Sequence, residues 1–352
     1  MIDFRYHLVS IVAVFLALAI GIVVGAGALS PQVANTLNTE SKQLAKRNTA
    51  LYAQNSQLRA QIAADNAFGA TASGLLLEQL LRGESVVLVT APGADGATVS
   101  GITSALRRSG ATVTGQVSLT PQFLDTSAST ETTLTTLASQ LTPAGVSLSG
   151  PAPVAQIAGQ QAAAQLIAAA IMDRHGQPLM TSAESTSILA GFGQQGFLHI
   201  SGPNGSTALA APASLAVVVI PATPPVPANA SSPANLALVM LANQLQLSGS
   251  AALLAGSFPG SVSGSAIDAV TSGSSGVSVT TVDDANTAIG QIIVVQALRR
   301  ALEPHVSPAS FGVGPGTVPS PAPSTPPTPT PSPSASHSVT PRPGSSTKAA
   351  QG

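Results

Sequence analysis

The stretch Glu84–Gly96 reads ESVVLVTAPGADG, and the fold is decided there. Val86 to Val89 form an unbroken apolar run of strand length, the pattern of a strand covered on both faces; alternation would have left one face wet. Pro92 and Gly93 make a turn, and Asp95 stands at an N-cap position before the helical pattern VSGITSALRRSG. Gly110 closes that helix and ATVTGQVSL (111–119) supplies a second strand, so the segment reads as one β-α-β unit with parallel strands.

The same order returns downstream. Leu215–Ile220 (LAVVVI) reads as a strand, Pro233–Leu247 as a helix, Ala251–Ala255 as a strand, Gly264–Thr271 as a helix and Val277–Thr281 as a strand. Asp283 or Asp284 is expected to cap a last helix, Ala285–Leu302, whose Arg299 and Arg300 suit the negative end of the dipole. Between the two blocks lie an Ala/Gln helix, Val154–Arg174, and a strand, Gly196–Ser201. The expected fold class is α/β: an extracytoplasmic three-layer domain over 84–303 with a mostly parallel sheet.

Ahead of this domain, Leu8–Leu29 carries no charged residue and is long enough to cross the ~30 Å hydrocarbon core as a helix. Residues 1–30 therefore read as a single-pass membrane anchor with a cytoplasmic N-terminus and the bulk of the chain outside. The competing reading is a cleavable signal cut after Ala28, since Ala26-Gly27-Ala28 has the small-x-small form.

Residues 31–67 read as a coiled-coil helix. Leu37, Leu44, Leu51 and Leu58 recur every seven residues at d positions, with Ser41, Asn48, Asn55 and Ile62 at a. A buried Asn at a pairs with its own counterpart in a parallel dimer, so a parallel homodimer through 37–62 is expected; the alternative is one amphipathic helix lying on the domain. At the other end, residues 307–352 are dense in Pro, Ser and Thr and are expected to be a disordered tail.

Composition excludes several functions. With 13 Lys and Arg spread over 352 residues and a net charge of -1, the chain has no electrostatic footprint for nucleic acid. It has no Cys, so any soft-metal site must draw on Met and His. Met172, His175 and Met180 fall within nine residues and form the candidate metal set; core packing by the two Met and a helix C-terminal His is the competing account. His199 reads as a core histidine, while His305 and His337 lie at or beyond the domain edge. No GxSxG elbow, HExxH pair, Walker lysine or GxGxxG spacing is present, so no catalytic residue and no cofactor-binding residue is assigned and no enzyme is expected.

The leader MIDFRYHLVSIVAVFLALAIGIVVGAGALS (1–30), the Leu-heptad helix behind it, SVVLVTAPG (85–93) and the closing DDANTAIGQIIVVQAL (283–298) together resemble the actinobacterial MctB-type copper transporter family. The resemblance covers about residues 1–303. It implies an envelope protein that assists copper efflux, with copper as transported ion and no resident cofactor, and it brings a seat in the outer membrane into consideration. Relatives linked to cell separation imply an alternative, a membrane-anchored scaffold that docks a membrane partner or a cell-wall enzyme.

Overall fold

A computed structural model describes residues 4–27, 31–144, 157–174, 176–222, 229–321 and 352. It begins with α1, Phe4–Gly27, within which Tyr6–Gly25 has a mean hydropathy of 2.9 and none of its surface buried. Among the described residues this is the one helix long and apolar enough to cross a bilayer.

Helix α2 follows as a single 47-residue element, Pro31–Leu77. It runs about three turns beyond the expected end at 67, because its last turns find a surface to cover. Leu77 is fully buried, and Gly69 and Ser73 are buried with it. The heptad leucines lie elsewhere on the helix and are exposed: Leu37 61%, Leu44 69%, Leu51 63% and Leu58 50%.

The body is built on a seven-stranded sheet. Its strands are β1 (Ser85–Thr90), β2 (Thr112–Leu119), β5 (Leu198–Ser201), β6 (Leu215–Val219), β7 (Ala251–Ala255), β8 (Thr280–Val282) and β9 (Ser310–Phe311), in the spatial order β5-β2-β1-β6-β7-β8-β9. A two-residue ladder, β3 (Asp173–Arg174) with β4 (Gln177–Pro178), stands apart. All pairs in the large sheet are parallel except β2 with β5, which is antiparallel at the edge. Both faces are covered, and the side-chain alternation of β6 shows how. Leu215, Val217 and Val219 enter the core beneath α2, α3 (Gly96–Arg108) and α9 (Ala288–Ala301), whereas Ala216 and Val218 enter the core beneath α5 (Ala158–Ile171) and α7 (Pro233–Ser248). The remaining helices are α4 (Ala128–Leu141), α6 (Ser182–Gln194) and α8 (Ala266–Thr271).

Local chemistry places the elements that the sequence marks. Asp95 accepts from the Thr98 amide at 2.8 Å and caps α3, and Gly110, at φ +83°, ends the turn that leads into β2. Other expectations are corrected. The cap of α9 is Thr287, whose hydroxyl accepts from the Gly290 amide at 2.9 Å; Asp283 and Asp284 lie before the helix and are buried. The ordered chain also passes the expected edge at 303 and the expected tail boundary at 307. Ser310–Phe311 adds to the sheet beside β8, and Phe311 is 3% exposed under the Arg300 guanidinium. A segment rich in Pro and Gly contributes here through backbone pairing with β8 and one buried aromatic, Phe311. His199 is exposed rather than in the core, because β5 is the sheet's edge strand.

Candidate functional site

Met172 closes α5 in extended geometry, its amide donating to Ala168 O at 2.9 Å. Its side chain is fully buried in the core shared with α7, against Gly249. Met180 precedes α6 and is 8% exposed in the same apolar cluster. His175 lies outside the described residues. The structure therefore gives the two sulfurs different settings: Met172 faces only core, while Met180 also lines a cavity of about 340 Å³. That cavity lies between α6, Ile200 of β5 and the segment Thr207–Pro212, and no charged side chain among the described residues lines it. Among the described residues, no group of three His, Asp or Glu is close enough to hold a metal ion. One thioether in an apolar wall offers a soft contact and little geometric control.

The carboxyl ends of the parallel strands form the second region. The strand order reverses between β1 and β6, where open α/β sheets generally bind ligands. Here backbone hydrogen bonds bridge the reversal: Ala91 N donates to Val219 O at 2.9 Å and Ala222 N donates to Gly93 O at 3.2 Å. The Thr98 hydroxyl and amide hold the Asp95 carboxyl below the usual range, so Asp95 serves as a fixed cap.

Further along this edge lies the acid pair Asp283 and Asp284, one of which the sequence marks as the cap of the last helix. Asp283 is 1% exposed and accepts from the amides of Val313 at 2.9 Å and Gly314 at 2.8 Å. Asp284 is 4% exposed; its Oδ2 meets the Thr287 hydroxyl at 3.5 Å, and its Oδ1 is buried without a partner. Burial, followed by the neighbouring charge of Asp283, pushes the Asp284 carboxyl up to about 6. Thr287, three residues ahead of Gly290, was the legible signal that the cap lay further on.

The acid pair has a pH consequence. Between the ordinary value of 3.8 and about 6, folded Asp284 keeps a proton that the unfolded chain has released. Its contribution is therefore fully present below pH 3.8 and is lost as pH rises through about 6, an effect of at most about 3 kcal/mol. Asp284→Asn is expected to raise the melting temperature of the full chain in detergent at pH 8 and to flatten its dependence between pH 4 and 7. A variant that melts with the wild-type pH slope would show that Asp284 does not set it.

The third region is the joint between α2 and the body. Asn66 Oδ1 accepts from the Ala288 amide at 2.9 Å, supplying a partner to the first turn of α9 from another element. Arg108 donates to the Ser73 hydroxyl at 3.0 Å, and Gly69 lets α9 approach so closely that a Cβ there would sit 3.1 Å from Ala288 Cβ. About 50 Å of helix, from Pro31 to Asp65, precedes this joint.

A family model described as "Copper transport outer membrane protein, MctB" matches residues 1–321. The chain belongs to the MctB family. It is 30% identical over 323 residues to the copper transporter MctB of Mycobacterium tuberculosis (strain ATCC 25618 / H37Rv), covering 90% of this chain and 98% of that protein. It is 32% identical over 319 residues to the copper transporter MctB of Mycobacterium leprae, again covering 90% and 98%. The MctB match runs from the α1 segment through β9 and the Asp283 contacts, so the strand added after residue 307 belongs to the matched region.

Proposed function

We propose that this MctB-family chain is a single-pass envelope protein of copper homeostasis, with its N-terminus cytoplasmic and its α/β body outside, and that it assists copper efflux without forming the conduit. The observation that carries this reading is the family match over residues 1–321, with relatives named copper transporters aligned over 90% of this chain. An aqueous path through a bilayer needs several helices or a closed barrel to satisfy backbone polar groups. Within Tyr6–Gly25 there is no Asp, Glu, Lys or Arg to line one. An accessory role fits these features better: α1 anchors the chain, the stalk holds the body away from the bilayer, and the body meets copper or the component that moves it. Met180 at the cavity wall is the sulfur placed to touch a soft ion; Met172 would first have to leave the core. In this reading the body requires no cofactor, performs no catalysis, and stands on stalks paired in parallel through Leu37–Ile62.

Deleting the gene in its own host is expected to raise cell-associated copper and lower copper tolerance, with both restored by the full-length gene. Unchanged copper content together with unchanged tolerance overturns the copper reading. The second reading, a scaffold for a membrane partner or a cell-wall enzyme, assigns the exposed leucines of α2 to that partner instead of to a second copy. Normal copper handling combined with failed cell separation in the same deletion strain would select it.

A further inference from the structure

The lower part of α2 carries large apolar side chains that its own body does not cover: Phe68 is 73% exposed, Leu75 82% and Leu76 48%. Continuing the heptad places Asp65 and Ala72 at d and Gly69 and Leu76 at a, with Phe68 and Leu75 at the flanking g positions. The body sits on an adjacent stripe of the helix, formed by Asn66, Gly69, Ser73 and Leu77, of which Gly69 is also a seam position. The two stripes share Gly69 and then separate. At 3.6 residues per turn, each residue advances the helix by about 100°, so Ala72 and Leu76 project about 100° from Ser73 and Leu77, which face the body one residue further on. By Ala72 and Leu76 the seam lies roughly a quarter turn from the body, on the side where these side chains are exposed.

We infer that the homodimer seam runs beyond Ile62 to Leu76, at the base of the α/β body, and that the occupant of this second apolar strip is a second copy of this chain. The inference rests on the stalk pairing proposed above. Three observations select a parallel copy over another partner. Asn48 and Asn55 at a positions are satisfied by their own counterparts in register. The g-to-e′ pairs, Glu40 with Ala45, Arg47 with Tyr52 and Gln54 with Arg59, set no like charges together. At the lower end, e positions 66 and 73 are turned to the chain's own body, so Phe68 and Leu75 at g face the body of the second copy. There Ile289 on α9 is 45% exposed, an apolar surface for those two side chains to cover.

The absence of cysteine makes the test direct. Single cysteines are placed in the full-length, membrane-embedded protein at Leu44, Leu58, Ala72 and Leu76, with Thr71 on the opposite face as control, and dimers formed on diamide oxidation are counted on denaturing gels. Facing a or d cysteines meet the spacing a disulfide requires. More than half of the chains are expected to dimerise at all four seam positions and less than a tenth at Thr71. Dimers at Leu44→Cys and Leu58→Cys but not at Ala72→Cys and Leu76→Cys overturn the extension while leaving the upper seam intact. Dimers at none of the four overturn the stalk pairing as well, and equal yield at Thr71→Cys overturns a defined seam.

Discussion

Asp283→Ala is expected to cost about 3–5 kcal/mol of folding stability and to release residues 310–321 from the sheet. The size follows from what the carboxylate holds. Its two oxygens accept from Val313 N at 2.9 Å and Gly314 N at 2.8 Å, and hydrogen bonds to a charged group are worth about 1.5–3 kcal/mol each. Alanine would leave both amides without that acceptor in a place where Asp283 is 1% exposed. Beyond β9, the bonds from Gly312 N to Val318 O at 3.0 Å and from Val318 N to Ser310 O at 2.9 Å tie the segment to itself and not to the body. Gly312, at φ +130°, is glycine because a Cβ would run into the Asp283 carboxylate. Denaturant melts of the full chain in detergent give the stability change, and limited proteolysis reports new cleavage between 303 and 321. Stability within 1 kcal/mol of wild type and an unchanged cleavage pattern would refute the latch.

Gly290→Ala is expected to lose about 3 kcal/mol or more, although alanine in a helix normally gains about 1 kcal/mol over glycine. A Cβ at Gly290 would collide with the backbone carbonyl of Asp284. That carbonyl cannot swing aside, because it accepts from Thr287 N at 2.9 Å and from the Thr287 hydroxyl at 3.0 Å, and the next amide, Ala285 N, donates to Gly256 O at 2.8 Å. The helix must move instead, and its first turn is the part that meets Asn66 and Gly69 of α2. Gly74→Ala is the counterpart: Gly74 is exposed on α2 with nothing within 4 Å of the added carbon, so a gain of up to about 1 kcal/mol is expected. Thermal melts of both variants check the pair, and the same sign for the two would sink the argument.

Much of the body is legible in the sequence alone. The apolar runs of β1, β6 and β7, the cap at Asp95 and the stop at Gly110 each depend on neighbours within a few residues, and local sequence reports such features well. Helices α4 and α6 were not legible from apolar periodicity. They are rich in Ser and Thr, and their hydroxyls bond back to carbonyls in the preceding turn, as Thr132 does to Ala128 O, Thr135 to Glu131 O and Thr186 to Ser182 O. The Thr181–Glu184 capping box ahead of α6 was the available signal. For the candidate metal set, sequence spacing brought Met172 and Met180 near each other along the chain. Burial separates them, since one closes a core helix and the other lines a cavity.

By itself the sequence determined the membrane-length helix, the heptad stripe and the strand-helix alternation, because each is a periodic pattern read along one element. Tertiary structure alone decided that Asp283 grips a backbone segment some thirty residues away, that Asp284 is left buried without a full set of partners, and which side of α2 the body occupies. Those outcomes depend on which distant surfaces meet. A carboxylate beside a helix start has the same letters whether it caps that helix or latches another strand, and only the packing around it selects between the two.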